Sequence, residues 1–299
     1  MAKVPVLNYH SDGQIETMTE AEGARCTGAE VAAKLVAWTM ARQPALFVSH
    51  GSPMIMFEPS PSRDFLAGLA GQVERPDAIL MISAHHDMAE AVVTSGSELA
   101  TIHDFGGFPQ KLFDLRYPAK GEPALAKEVG QLVTGAGHRV FLDPERGLDH
   151  GAWVPLMLGW PEADVPVVQL SISSAHPPEW HHRIGQAIAP LRERNVLIIG
   201  SGSLTHNLRE LIAARRDHDA PVPHWAAEFA DWVNERLIAG DTRAVLDAVE
   251  LAPSGKRNHP TMDHILPLFT AMGAGGMPAE RLHHSYTYGV LAMDAYRFG

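Results

Sequence analysis

Ala45-Leu-Phe-Val-Ser-His50-Gly-Ser-Pro53 opens the informative part of the chain. An apolar run that does not alternate with polar residues reads as a strand covered on both faces. The glycine after the histidine permits close backbone approach, and the proline ends the strand by removing a donor. The same pattern recurs at Ile79-Leu-Met-Ile-Ser-Ala-His85 and at Val196-Leu-Ile-Ile-Gly-Ser-Gly-Ser-Leu-Thr-His206. Three imidazoles placed just after strand-like runs point to metal chemistry.

Working outward, apolar runs at 45–49, 78–82, 165–172 and 196–199 predict buried strands. Between them lie helical patterns at Pro123 to Thr134, Pro178 to Arg194 and His224 to Ile238, the last ending before Gly240. This alternation predicts a single α/β domain with a mostly parallel or mixed central sheet flanked by helices. In such sheets ligands bind beyond the carboxyl ends of the strands, so His50, His85 and His206 are expected in one neighbourhood. Residues 1–43 read as an N-terminal extension carrying one helix, with a capping box at Thr27-Gly-Ala-Glu30 and Val31, Leu35 and Trp38 on one face. Residues 44–299 carry this strand and helix pattern. The glycine- and proline-rich stretches at 51–61, 104–109, 252–260 and 273–278 read as surface loops.

Composition narrows the chemistry. The 299 residues carry a formal charge of −11 and no Lys/Arg run, which argues against nucleic acid as partner. No stretch reaches the roughly 18 to 20 apolar residues needed to span a bilayer, and the start lacks a signal-peptide core, so a cytoplasmic location is expected. One cysteine, Cys26, against 17 histidines leaves imidazole and carboxylate as the available metal ligands.

Several motifs then compete for roles. In His85-His86-Asp87 alternation sends one ring into the crevice and the other away, and His85 is taken as the inward one. Gly200-Ser-Gly-Ser lacks both the Walker lysine and the Gly-x-Gly-x-x-Gly spacing, so it does not read as a phosphate cradle. His150, in Leu148-Asp149-His150-Gly151-Ala-Trp153, suits a general acid or a donor whose orientation its neighbours fix, and a cap is the competing reading. Asn258-His259-Pro-Thr-Met-Asp263-His264 looks like a loop entering a helix, with Thr261 as cap and His264 in the first turn. His103, in Ile102-His-Asp-Phe-Gly-Gly-Phe-Pro109, sits in a loop suited to cover a flat ligand and is a candidate substrate contact. His138, His181, His182, His218, His283 and His284 read as structural or solvated.

Together these segments resemble the class III extradiol ring-cleavage dioxygenases, the LigB-like superfamily, in its 4,5-DOPA dioxygenase branch. The matching motifs are Ser49-His-Gly-Ser-Pro53, Ser83-Ala-His85, Thr101-Ile-His-Asp-Phe-Gly-Gly-Phe-Pro109, Asp149-His-Gly-Ala-Trp153, Pro166-Val-Val-Gln-Leu-Ser171, Ser201-Gly-Ser-Leu-Thr-His-Asn-Leu-Arg209 and His264-Ile-Leu-Pro-Leu268. The resemblance implies that His50, His85 and His264 are metal ligands, that His206 is the acid/base group and possible fourth ligand, and that His150 is a donor near dioxygen or substrate. The best-known members of the superfamily use a glutamate as third ligand, and His264 stands at that position. The implied activity inserts both atoms of O2 into a catechol-type, DOPA-like substrate and opens the ring to a semialdehyde. The implied cofactor is Fe(II), with Zn(II) expected in purified material because such sites favour zinc over ferrous iron. The expected partners are a small catechol and O2, with a homo-oligomer open. Arg209 and Arg257 are candidates for a substrate carboxylate. Two further readings stand beside this one: a zinc-dependent hydrolase on the same scaffold, and a non-catalytic Memo-like binding protein.

Overall fold

The computed structural model describes residues 6–9, 15–18, 42–214 and 217–299. The chain divides into two compact units, Met1–Arg42 and Gln43–Gly299. In the first, β1 (Val6–Tyr9) and β2 (Ile15–Met18) pair as an antiparallel hairpin where the sequence showed no period. The helix expected around Val31, Leu35 and Trp38 lies outside the described residues.

The second unit is built on an eight-stranded mixed sheet. Its strands are β3 (Ala45–Ser49), β4 (Ala78–Asp87), β5 (Ala91–Thr94), β6 (Val140–Asp143), β7 (Val167–Ile172), β8 (Val196–Gly202), β9 (Ala279–His283) and β12 (Ala295–Phe298). They lie in the order β6-β5-β7-β4-β8-β3-β12-β9. A separate two-stranded ribbon joins β10 (Tyr286–Thr287) to β11 (Leu291–Ala292). The four central strands β7, β4, β8 and β3 are mutually parallel, while β12 runs antiparallel to both β3 and β9.

Every residue of β3, β7 and β8 is buried, as their uninterrupted apolar runs require. Alternation splits them between two cores. Phe47, Leu80, Leu170 and Ile198 face one layer, whereas Leu46, Ile79, Met81 and Leu197 face the other with Trp153. The outer strands β5, β6 and β9 are short and went unread in the sequence.

Two helix corrections have local causes. The run expected to continue to Arg194 ends as an α-helix at Ile188 and tightens into a 3-10 turn over Ala189–Arg194, where Pro190 removes a donor. Gly273, read as loop, lies inside the helix Leu266–Gly275. A Cβ there would stand 2.1 Å from the His182 carbonyl, so glycine permits this helix to cross Pro178–Ile188 closely. The helix His224–Ala239 ends at Gly240 with φ 76°, as expected of a left-handed C-terminal residue.

His181 is structural. It accepts from the Ser173 N–H at 3.1 Å through Nε2, and its Nδ1 lies 3.2 Å from the Pro177 carbonyl as donor. Burial, with the bond to Pro177 acting against it, pushes its pKa from 6.5 down to about 4. The unfolded chain therefore binds this proton first as pH falls. Stability should drop between pH 6.5 and about 4, by on the order of 3 kcal/mol from this group. Denaturant titration across that window, with His181→Gln showing a flatter acid limb, checks the assignment.

Candidate metal centre and active-site cavity

The parallel register places the histidines. Ser49 pairs with Gly202, and Ser83 with Ser201, so the ends of β3, β4 and β8 lie level in the sheet. His50 follows β3 directly, its N–H extending the ladder to the Gly202 carbonyl at 3.0 Å. His85 stands two residues beyond Ser83 in β4. Its neighbour His86 is fully buried and joins none of the histidine clusters.

His264 arrives from the far end of the sequence. The helix expected to begin before it starts at Leu266, where Pro267 in the first turn is preorganised for helical φ. His264 is therefore in the preceding turn, and its carbonyl accepts from the Ser203 N–H at 2.9 Å. Thr261 does not cap the helix; its side chain bonds Asp263. The glycines of β8 explain the close approach. A Cβ on Gly202 would stand 2.1 Å from the His264 carbonyl, and one on Gly200 would stand 2.3 Å from the Pro267 carbonyl. The Gly200-Ser-Gly motif is thus a seat for the His264 segment.

Ligand atoms of His50, His85 and His264 all lie within 4.8 Å of one another. The Nε2 atoms of His50 and His85 are 3.2 Å apart. Two nitrogens at a right angle, each about 2.1 Å from one ion, would stand about 3 Å apart. The three residues therefore fit a metal.

Their other nitrogens are oriented to match. Ser201 donates through Oγ to the Gly151 carbonyl at 2.5 Å, so its oxygen is left to accept from His50 Nδ1 at 3.0 Å. That selects the tautomer with a free lone pair on Nε2. Asp263 bonds His264 Nδ1, and Asp104 Oδ2 lies 3.4 Å from His85 Nδ1. Burial pushes Asp263 up, but its hydrogen bond with His264 holds it well below the carboxylate range. Burial first, then the neighbouring imidazoles, lowers His50 well below 6.5 and His85 to about 2. Neutral imidazoles are the ligating form. Asp263→Asn should weaken metal affinity about 10- to 100-fold, measured by competition with a chelator.

His206 stacks on His264, with ring centroids 3.4 Å apart and planes within 7°. Burial, then His264, lowers its pKa below the ordinary 6.5. His150 packs on His85 at 3.9 Å between centroids. The neighbour that orients it is Asp104: His150 donates its backbone N–H to Oδ1 at 2.9 Å and places Nδ1 3.0 Å from Oδ2. The adjacent Asp149 turns away into a buried network, accepting from Ser83 at 2.6 Å, Gln169 at 2.5 Å and Arg146 at 3.2 Å. Gly151 brings this helix against the cluster, since a Cβ there would meet Ser83 Oγ at 2.4 Å and His85 Cδ2 at 2.9 Å.

The histidines open on a cavity of about 490 Å³. His50, His85, His150, His206 and His264 line its floor, and Phe105, Phe108, Leu208, Leu211 and Ile212 its walls. Volume and apolar walls suit a small organic ligand. The loop after Thr101 supplies Asp104, Phe105 and Phe108 rather than His103, whose Nε2 lies 3.1 Å from the Leu115 carbonyl. Neither Arg209 nor Arg257 lines the cavity; Arg257 pairs with Glu210 at 2.7 Å. Asp104, Asp263 and Ser201 went unassigned in sequence, although the first two sit beside motif histidines.

Residues 44–299 match the family model described as the catalytic LigB subunit of aromatic ring-opening dioxygenase. A Beta vulgaris protein named 4,5-DOPA dioxygenase extradiol is 43% identical over 84% of this chain and 95% of its own. An Escherichia coli protein of the same name is 39% identical over 78% of this chain and 85% of its own. The crystal structure of an uncharacterized protein from Escherichia coli K12 aligns with TM-score 0.71 at 32% identity, covering 86% of this chain and all of that one. The chain belongs to the LigB family and is an extradiol aromatic ring-opening dioxygenase.

Proposed function

We propose that residues 44–299 form a catalytic domain that opens a catechol-type ring with O2, using Fe(II) held by His50, His85 and His264. The observation carrying this reading is the convergence of these three residues at the floor of a ligand-sized cavity. Ferrous iron would supply a chelation site for the diol and the one-electron chemistry that lets dioxygen react. The remaining steps fall to the chain's side chains.

His206, facing the cavity and stacked on His264, is placed to accept the phenolic proton that chelation leaves behind, and to return it during ring opening. A neutral imidazole is the form a base requires. His150, held by Asp104, is placed to donate to charge developing on oxygen, a contribution of about 10² to 10³ in rate for one donor. Phe105 packs on His150 with centroids 5.5 Å apart and presents an aromatic wall to a flat ring.

Protein purified in air is expected to carry zinc, which binds imidazole sites more tightly than ferrous iron. A cytoplasmic location is proposed, and no helix among the described residues is long and apolar enough to cross a membrane. Residues 1–43 are proposed as an extension outside the catalytic domain, and a homo-oligomer is compatible with it. The test is anaerobic metal removal, ferrous reloading, and an oxygen-electrode assay across a catechol panel with visible spectra. Catechol-dependent uptake with a yellow semialdehyde supports the reading. No uptake with any catechol contradicts it, and hydrolysis without oxygen would favour a zinc hydrolase.

A further inference from the structure

The eight-stranded sheet has two edges, and they differ in kind. β9, at one end, carries Glu280, Arg281 and His283, charged and polar groups of the sort that keep an edge single. β6, at the other end, carries Phe141 and Leu142, 50% and 48% exposed. Alternation puts these two on opposite faces, so the rim of the sheet is apolar above and below. Among the described residues β6 pairs only with β5. An apolar edge with an unpaired backbone is a template for another strand.

The backbone of β6 selects the strand that fits. Its Asp143 carbonyl turns inward and accepts from the Ser95 N–H at 2.7 Å. By alternation Val140 and Leu142 direct their N–H and C=O groups outward. A second β6 laid antiparallel can exchange both hydrogen bonds between Val140 of one copy and Leu142 of the other, and the twofold axis repeats the exchange. Neighbouring registers are poorer. One sets Val140 opposite Pro144, which has no N–H to give. The other sets Leu142 opposite His138, whose N–H is already spent on the Val133 carbonyl at 3.2 Å.

The side chains agree with that register. Phe141 meets its own copy on the axis, and Arg139 stands opposite Asp143 at both ends of the pair. The contact of Arg139 with Glu90 is long, 3.5 Å through Nη1. Asp143 uses Oδ1 to hold the following turn, accepting from the Glu145 and Arg146 N–H groups at 2.9 and 3.0 Å, which leaves Oδ2 for a guanidinium. On the other face Val140 and Leu142 border a groove of about 470 Å³ against the helix Pro123–Gly135, where Gly130 and Gly135 put no side chain in the way. Leu142 of a second copy, opposite Val140, enters this groove. Backbone, charge and apolar surface are thus complementary to a second copy of the same strand.

We propose that β6 is the contact of a twofold dimer in which the sheets of two copies of this chain join edge to edge.

The test is sedimentation of the full chain over a dilution series, together with site-directed cross-linking. Wild type should show a reversible monomer–dimer equilibrium. Leu142→Pro, which removes an outward N–H and spares the bonds to β5, should weaken the dimer at least about tenfold with an unchanged circular dichroism spectrum. In a Cys26→Ser background, Phe141→Cys should oxidise to a covalent dimer, because a non-hydrogen-bonded pair brings its Cα atoms to about 4.5 Å. Leu142→Cys, equally exposed, should not, since its own copy lies more than about 7 Å away in this register. Should Leu142→Pro misfold, the two cysteine variants decide. Monomer throughout a series reaching about 100 μM overturns the proposal, as does a dimer that Leu142→Pro leaves intact or cross-linking equal in the two cysteine variants.

Discussion

His50→Ala is expected to lose its metal to background level by elemental analysis and to lose ring-opening activity with it, by more than about 10³-fold. Removing this imidazole leaves His85 and His264 without the partner whose Nε2 stands 3.2 Å from that of His85. Two nitrogens do not hold a divalent ion against water as three do. A simple folding defect would look different. In the metal-free protein His50 is a buried imidazole crowded by His85, His264 and His150, so truncating it removes a cost as well as a packing contact. The thermal midpoint of the metal-free variant should therefore stay close to that of metal-free wild type. The holo forms should differ, because bound metal stabilises only the wild type.

His206→Ala separates binding from chemistry. It should keep its metal and lower kcat by about 10² to 10⁴, the range for removal of a positioned acid/base group. The stacking of His206 on His264 means that its loss removes a packing partner of a proposed ligand, while the Nδ1 bond from His264 to Asp263 keeps that imidazole aimed. Elemental analysis beside single-turnover kinetics checks both halves. Metal loss equal to that of His50→Ala would make His206 a ligand instead of the proton carrier.

How much of this was legible in the sequence follows from the range of the interactions. The central strands could be read because burial on both faces demands apolar residues at every position, as in β3, β7 and β8. The edge strand β6 is half exposed and carries no such signature. The histidines of β3 and β4 could be placed because parallel topology carries strand ends to one edge. His264 could not be placed that way, since its position depends on glycines of a strand some sixty residues earlier that let its carbonyl approach. Family resemblance, and not pattern, singled it out. Asp104 shows the reverse case. Adjacency favoured Asp149 as the partner of His150, but successive side chains at a helix start diverge, and the orienting carboxylate came from a loop 46 residues away. His103 drew attention because it is a histidine in an aromatic loop, yet its ring is held among Phe105, Phe113 and Trp153.

The most direct test of the central claim is the mass of the product formed by ferrous-loaded protein from a catechol, together with the oxygen consumed. The account predicts one O2 consumed for each catechol and a product heavier than the substrate by both oxygen atoms. A product lighter by two hydrogens, the quinone of simple oxidation, or an unchanged catechol would contradict it.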